Sequence, residues 1–404
     1  MTGSVKLLLT AGEASGDRLG AGLIRALRRK LDDRDLQLIG VGGRLMAEEG
    51  LDSLFDMSEL SVLGLFEGVR AFPRIVRRAD DVAALARREQ PDLAVLIDSW
   101  GFSLRVAQRL RRLTPPVFVV KYVGPQVWAS RPGRARTLAG AVDHLLSTQR
   151  MDAPHYAGLG LPVTFVGNPA LTMDVSQADG DRGRTTVGAG PDQPVLLVLL
   201  GSRRAEVARL AEPFGETARR LAERFPGLVV AVAVAQTVAD QVRAAVAGWG
   251  LDVRLVERDA DKLDVMAGCT AALAASGTVS TELALCGAPM VIGYRIGAVS
   301  YALLRPLMLT RFVTLFNIAA DREIAPELLQ SRCTPDALTP ALAALLSDPG
   351  ARQAQIADQT AALGLMGLGE ADPSERAADA LIRDLRARGV LPAEDIAPRR
   401  DGAA

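Results

Sequence analysis

Short apolar runs recur along the chain, and most of them lead through a turn of small or charged residues into a helical pattern. The clearest runs are residues 5–11 (VKLLLTA), 92–98 (DLAVLID), 194–200 (PVLLVLL) and 271–275 (AALAA). Strands this uniformly apolar are typical of parallel sheets, which helices cover on both faces. Since strands and helices alternate through both halves, the sequence predicts an α/β protein with two parallel sheets.

The length and a change in composition divide the chain in two. Its 404 residues are enough for two sizeable cores. Residues 178–194 (ADGDRGRTTVGAGPDQP) contain few apolar side chains and indicate a linker or the start of a second domain. We expect a first Rossmann-like domain at 1–172, a second with terminal helices at 173–390, and a disordered tail at 391–404.

Turns rich in glycine, serine and charged residues follow three of these runs. They span residues 12–17 (GEASGD), 201–206 (GSRRAE) and 276–278 (SGT). Small residues let a phosphate approach the backbone, and α/β proteins bind ligands at the carboxyl ends of their strands. Glu282, about one helical turn further on, is placed to accept hydrogen bonds from a sugar diol. An ordinary capped strand-to-helix turn explains the same spacing, so both interpretations stay open.

Composition argues against several classes of protein. The formal net charge is zero, which gives no indication of a nucleic-acid partner. Three cysteines without ligand spacing indicate reduced thiols in a cytoplasmic protein, and two histidines are too few for a histidine-based metal site. No apolar run is long enough to span a membrane, and no signal peptide is evident. Any membrane role is therefore expected to be peripheral.

Residues 54–78 combine apolar, aromatic and arginine side chains. Such a segment is suited to an anionic membrane surface or to an acyl pocket. The alternative is a helix that buries its apolar face in the core of its own domain. The pattern alone leaves both open.

Eight stretches, taken together and in order, resemble the lipid-A-disaccharide synthase family. In the N-terminal half they are 11–27 (AGEASGDRLGAGLIRAL), 40–50 (GVGGRLMAEEG), 59–67 (ELSVLGLFE), 91–98 (PDLAVLID) and 122–135 (YVGPQVWASRPGRA). In the C-terminal half they are 201–207 (GSRRAEV), 275–295 (ASGTVSTELALCGAPMVIGYR) and 316–330 (FNIAADREIAPELLQ). The resemblance covers about residues 5 to 335 and implies the GT-B glycosyltransferase fold, in which two Rossmann-like domains face a cleft.

The resemblance implies an inverting transfer of 2,3-diacylglucosamine from its UDP derivative to 2,3-diacylglucosamine 1-phosphate. UDP is released, and the product is the β-1,6-linked lipid A disaccharide 1-phosphate. No cofactor is implied, and the location would be the cytoplasmic face of a bacterial inner membrane. Homodimer formation is left open.

The resemblance assigns roles to residues at the strand ends. Asp98 matches the family's strand-end aspartate, and its carboxylate is suited to take the proton of the acceptor hydroxyl. The donor side would comprise Gly201, Ser202, Arg203, Glu206, Ser276, Gly277, Thr278, Glu282 and Asn317. The acceptor side would comprise Gly12, Glu13, Ser15, Gly16, Asp17 and Glu67. For Glu13 and Asp17, capping of a helix is an equally good explanation.

Some positions depart from the family pattern, and most would lie on the acceptor side. Trp100 and Gly101 stand where proline and aspartate are frequent, so a second acidic residue is missing. The donor nucleotide is therefore better supported than the acceptor, and another UDP-sugar or lipid acceptor stays open. A sugar-nucleotide 2-epimerase and a catalytically inactive UDP-sugar-binding membrane protein are further alternatives.

The pair Asp259 and Asp261 resembles the Asp-x-Asp metal clamp of a different glycosyltransferase architecture. Because it directly precedes a helical pattern, helix capping is the better interpretation. We expect no metal requirement.

Overall fold

The structure is a computed structural model that describes residues 4–31, 35–60, 65–297, 301–302 and 305–392, with the side chains of 65–71 excepted. The chain divides into two compact units, residues 1–167 with 370–404 and residues 168–369. Each unit contains one parallel sheet.

Most of the strands coincide with apolar runs, but the sequence does not predict the short strands Asp52–Ser53 and Glu327–Leu329. In the first unit the strands are β1 (Val5–Ala11), β2 (Leu36–Val41), β3 (Asp52–Ser53), β4 (Leu93–Ile97), β5 (Val119–Tyr122), β6 (His144–Ser147) and β7 (Val163–Phe165). In the second they are β8 (Val195–Leu199), β9 (Val229–Ala233), β10 (Val253–Val256), β11 (Ala271–Ala274), β12 (Met290–Tyr294) and β13 (Glu327–Leu329). The sheet orders are β3-β2-β1-β4-β5-β6-β7 and β10-β9-β8-β11-β12-β13.

Helices connect these strands. In the N-terminal half they are α1 (Ala14–Leu31), α2 (Arg44–Glu48), α3 (Leu65–Glu89), α4 (Trp100–Leu110), α5 (Gly133–Ala139) and α6 (Ala153–Tyr156). The next are α7 (Gly180–Thr186), α8 (Arg204–Arg224), α9 (Ala239–Ala247), α10 (Asp259–Gly268) and α11 (Val279–Leu285). The last are α12 (Leu315–Ala320), α13 (Pro335–Ser347), α14 (Pro349–Leu365) and α15 (Pro373–Ala387). In the described residues, no helix has the length and apolar character that crossing a membrane requires.

Alternate residues of the central strands enter opposite cores. Leu7 and Leu9 of β1 pack with α1 on one face of the first sheet, whereas Leu8 packs with α3 and α4 on the other. All five residues of β4 and of β8 are buried. Burial on both faces explains why these strands are uninterrupted apolar runs. The predicted pair of Rossmann-like parallel sheets is confirmed.

The C-terminal helix belongs to the first unit, not to the second domain in which we expected it. Leu381 and Leu385 of α15 join the core formed by β1 and α1. Asp384 lies 2.7 Å from His144 Nδ1, and Arg376 donates a 2.8 Å hydrogen bond to the carbonyl of Phe165. An amphipathic pattern reveals that a helix buries one face but not which sheet it covers. The unit boundary likewise falls after residue 167 instead of 172, and residues 393–404 of the predicted tail lie outside the described residues.

Candidate active site

A cavity of about 430 Å³ lies in the second unit, at the carboxyl ends of the neighbouring strands β9, β8 and β11. Its lining includes every expected donor-side residue except Asn317. These residues are Gly201, Ser202, Arg203, Glu206, Ser276, Gly277, Thr278 and Glu282. The turns after β8 and β11, which are distant in sequence, thus meet because their strands are adjacent in the sheet.

Glu206 shapes the turn after β8. Its buried carboxylate accepts hydrogen bonds from the amides of Ser202 and Arg203 at 3.1 and 3.3 Å. It also accepts hydrogen bonds from Arg203 Nη1 at 2.8 Å and from the Tyr294 hydroxyl at 3.2 Å. Gly201 has a φ of +94°, and a Cβ there would lie 2.5 Å from the Glu206 carboxylate. The carboxylate therefore fixes the turn from within, and the guanidinium of Arg203 stays mostly exposed beside the cavity.

The turn after β11 is open on its cavity side. A Cβ built on Gly277 meets no heavy atom within 4 Å. Among the described residues, the amides of Gly277 and Thr278 have no intramolecular acceptor. Glu282 also lines the cavity; burial raises the pKa of its carboxyl, and the positive charge of Lys262 opposes the rise. Free amides and open space at one turn are what a phosphate group requires.

Lys262 lines the cavity although the sequence pattern gives no sign of it. It lies in the first turn of α10, where its ammonium pairs with Asp259 at 2.5 Å. Asp261 in the same turn lies 3.6 Å from Arg258. Within the described residues, no group of three histidine, cysteine or acidic side chains is arranged to hold a metal ion.

Asn317 does not line the cavity, contrary to our expectation of a nucleotide contact. It is fully buried, and its amide nitrogen donates to the carbonyl of Ala325 and to Glu327, both at 2.9 Å. Its oxygen accepts from the amides of Ile324 and Ala325. These bonds satisfy the side chain and connect α12 to the segment before β13. In this structure Asn317 has a structural role.

Asp98 lies at the carboxyl end of β4 in the first unit. Its backbone φ is +48° and that of Ser99 is +44°, two consecutive left-handed residues that are not glycine. Such conformations are strained and concentrate at functional sites. The carboxylate is half-buried and accepts a 3.0 Å hydrogen bond from the Ser15 hydroxyl.

The loops after β1 and β4 approach closely around Asp98. A Cβ on Gly12 would lie 2.7 Å from the Ser99 side chain, and Gly16 packs against Ile97. Burial raises the pKa of the Glu13 carboxyl, and the charge of Asp98 raises it further. Glu13, Ser15 and Asp98 thus form one polar group at the ends of neighbouring strands.

Asp17 faces away from this group. Its buried carboxylate accepts hydrogen bonds from the amides of Gly43, Leu45 and Met46 at 2.8 to 3.1 Å, which caps the start of α2. The capping interpretation is therefore the one that the structure supports, because every amide bonded to the carboxylate belongs to the α2 turn. Glu67 falls in α3, where its side chain lies outside the described residues.

Lys121 is a further site residue that the sequence pattern does not reveal. It is buried in β5, and its ammonium group contacts the carbonyls of Asp98 and Leu96 and, at 3.4 Å, the Ser103 hydroxyl. These contacts fix the backbone at which β4 ends. The sequence around Lys121 gives no sign of this role. The lysine reaches the backbone of Asp98 only because β5 pairs with β4, with Lys121 opposite Leu96.

Replacement of Lys121 by Met should change how stability depends on pH. Burial lowers the pKa of Lys121 from 10.5 to about 7, and the charge of Asp98 opposes this change. Between these values the unfolded chain binds more protons than the folded one, so Lys121 makes the free energy of unfolding rise with pH. Denaturant unfolding at pH 7 and 9.5 gives the free energy of unfolding of both proteins. From the lower to the higher pH, this free energy should rise more for the wild type than for Lys121→Met, by at most about 1.4 kcal/mol per pH unit. A difference that does not vary with pH would contradict this account.

A family model described as lipid-A-disaccharide synthetase matches residues 7–380. The chain belongs to the lipid-A-disaccharide synthetase family. The lipid-A-disaccharide synthase of Rhodospirillum centenum is 44% identical over 394 residues, 98% of this chain and 98% of that protein. The lipid-A-disaccharide synthase of Paramagnetospirillum magneticum is 44% identical over 382 residues, 94% and 97% of the two chains. The resemblance found in the sequence is confirmed, and with it the assignment to the glycosyltransferases.

Solved structures similar to this member of the lipid-A-disaccharide synthetase family support the GT-B fold. The S. aureus MnaA-UDP co-structure has a TM-score of 0.60 at 13% identity and covers 96% of this chain and 98% of its own. CalG4, the calicheamicin glycosyltransferase, has a TM-score of 0.56 at 17% identity, with 96% and 100% covered. At these identities the similarity concerns the fold alone.

Proposed function

We propose that the protein transfers 2,3-diacylglucosamine from its UDP derivative to the 6-hydroxyl of 2,3-diacylglucosamine 1-phosphate. The products are the β-1,6-linked disaccharide 1-phosphate and UDP. The observation that carries the proposal is the similarity over nearly the full chain to relatives named lipid-A-disaccharide synthase. The polar group around Asp98 and the cavity of the second unit support it.

Asp98 is proposed as the general base. As the acceptor oxygen bonds to the anomeric carbon, the carboxylate takes the hydroxyl proton, and the bonding pair of the anomeric C–O bond leaves with UDP. The Ser15 hydroxyl donates a hydrogen bond to this carboxylate, and Lys121 holds the backbone carbonyl of Asp98. A direct displacement of this kind inverts the anomeric centre.

The cavity in the second unit is proposed as the UDP site. The free amides of Gly277 and Thr278 are suited to the pyrophosphate, and Arg203 and Lys262 provide positive charge. Glu282 is placed to accept hydrogen bonds from the ribose hydroxyls. Because protein cations neutralise the leaving group, we propose that the reaction needs no metal.

Incubation of the purified full-length protein with both substrates in EDTA tests this function. We expect the disaccharide 1-phosphate and UDP in equal amounts, identified by mass spectrometry. Product formed only after addition of a divalent cation would overturn metal independence. Conversion of UDP-N-acetylglucosamine to its 2-epimer without an acceptor would favour an epimerase.

We propose peripheral association with the inner membrane as well, since the substrates are acylated. Leu307, Met308 and Leu309 are exposed between Arg305 and Arg311, an arrangement suited to an anionic membrane surface. In residues 54–78, Leu54 and Phe72 are also exposed, although other parts of that segment pack in the core.

Sedimentation with vesicles tests the membrane proposal. Leu309→Glu should reduce binding to vesicles containing anionic phospholipid about tenfold, because it removes the burial of one large apolar side chain. Leu365→Glu, which changes a comparably exposed leucine outside the arginine-flanked segment, is the control. Equal binding by wild type and Leu309→Glu would contradict the role of this segment.

A further inference from the structure

Two arginines near Asp98 have no negatively charged partner among the described residues. Arg131 and Arg134 follow β5 and lie at the start of α5. Within the described part of the chain, neither guanidinium forms an ion pair with a carboxylate. Three other arginines of the same unit are paired with carboxylates. The pairs are Arg78 with Glu59 and Asp81, Arg109 with Asp80, and Arg111 with Asp143.

The two unpaired charges affect each other. Partial burial lowers the pKa of the Arg134 guanidinium, and the positive charge of Arg131 lowers it further. Arg131 itself has a left-handed backbone, with a φ of +53°. A bound anion would offset both the repulsion and the cost of desolvation, and the described residues provide no counter-charge for it.

The position of Arg134 is fixed by an aromatic contact. Its guanidinium carbon lies 5.1 Å from the centre of the Trp100 ring, in the range of a cation–π interaction. Trp100 is two residues after Asp98 and begins α4. Because β4 and β5 are adjacent, the loops that follow them bring the arginines to the same edge of the sheet as the candidate base.

There is free space beside these residues. A Cβ on Gly133 would meet no heavy atom within 4 Å, and one on Gly101 would meet only Arg105 Nη1, at 3.9 Å. Trp100 and Gly101 are also the positions that depart from the family pattern and lack its second acidic residue. The space beside Gly133, which lies between the two arginines in the chain, is therefore available to a ligand.

We propose that Arg131 and Arg134 bind the phosphate monoester of the acceptor, with Trp100 holding Arg134 in place. This inference rests on the proposed function, in which the acceptor carries a 1-phosphate and the donor side binds UDP. A phosphate monoester has nearly two negative charges and three acceptor oxygens, which suit the planar guanidinium fork. The same cluster gives specificity for a phosphorylated acceptor over a neutral one.

Acceptor kinetics in neutral detergent micelles test the proposal. The variants Arg131→Ala and Arg134→Ala are compared with Arg136→Ala, an exposed arginine on the same helix. Every protein is assayed with two acceptors, 2,3-diacylglucosamine 1-phosphate and the same sugar without its phosphate. We expect each variant to lower kcat/KM roughly tenfold for the phosphorylated acceptor only, with UDP affinity unchanged. Arg134→Lys should recover part of the loss, because it keeps the charge but not the fork.

Several results would overturn the inference. Equal losses with both acceptors would indicate a structural role, and an equal loss in Arg136→Ala would indicate a general charge effect. A loss seen only with anionic vesicles, and not in neutral micelles, would assign the arginines to phospholipid headgroups. Absence of turnover by the wild type with either acceptor would instead overturn the proposed function, and the inference with it.

Discussion

Asp98→Asn should lower kcat by at least about a hundredfold while the affinity for UDP is unchanged. The amide has nearly the shape of the carboxylate but cannot take the acceptor proton. Asparagine also tolerates the left-handed backbone seen at this position, where φ is +48°, so the loop should keep its conformation. Turnover and UDP binding measured on the same preparation provide the check.

Ser15→Ala is the matched control for Asp98→Asn. It removes the hydrogen bond to the carboxylate but leaves the base in place, so a smaller loss of kcat is expected. Full activity of Asp98→Asn would remove Asp98 from its role and leave the family and fold unaffected. A large loss of UDP affinity in that variant would indicate a damaged fold, which thermal unfolding would reveal.

Gly277→Val should weaken UDP binding about a hundredfold, the upper range for an unrelieved steric clash. Gly277 lines the cavity, and an added Cβ there would meet no protein atom within 4 Å. The first atom of the new side chain therefore has room in the free protein, and we expect the valine to occupy the space that we assign to the pyrophosphate. Calorimetric titration with UDP should show the loss, and the melting temperature should change little.

Gly364→Val provides a control in the same unit. Gly364 lies in α14, does not line the cavity, and also has no neighbour within 4 Å of an added Cβ. Both substitutions should therefore leave the fold intact, and only the one at Gly277 should affect UDP. Unchanged UDP affinity in Gly277→Val would place the nucleotide elsewhere.

The sequence predicted the features that local patterns determine. Residues 194–200 and 271–275 predict strands because burial on both faces of a parallel sheet demands continuous apolar runs. The turns 201–206 and 276–278 are predicted by the small residues that a strand-to-helix connection needs. Because β8 and β11 are adjacent, both turns line the same cavity.

Other features depend on contacts between distant parts of the chain. Asp17 and Asn317 occur in motifs that indicate ligand contacts, but their side chains bind backbone amides of neighbouring segments. Lys121 and Lys262 reach their sites only through sheet pairing and helix placement. The helix α15 packs on the first sheet because its apolar face fits the core formed by β1 and α1. Helical periodicity shows that such a face exists but not which sheet it covers.

The anomeric configuration of the product tests the central claim most directly. We expect the disaccharide formed from the α-linked UDP donor to have a single β bond to the acceptor 6-hydroxyl, determined by proton NMR. This result follows from one direct displacement with Asp98 as the base. An α-linked product would contradict it, because retention requires a second displacement and a nucleophile that the account does not contain.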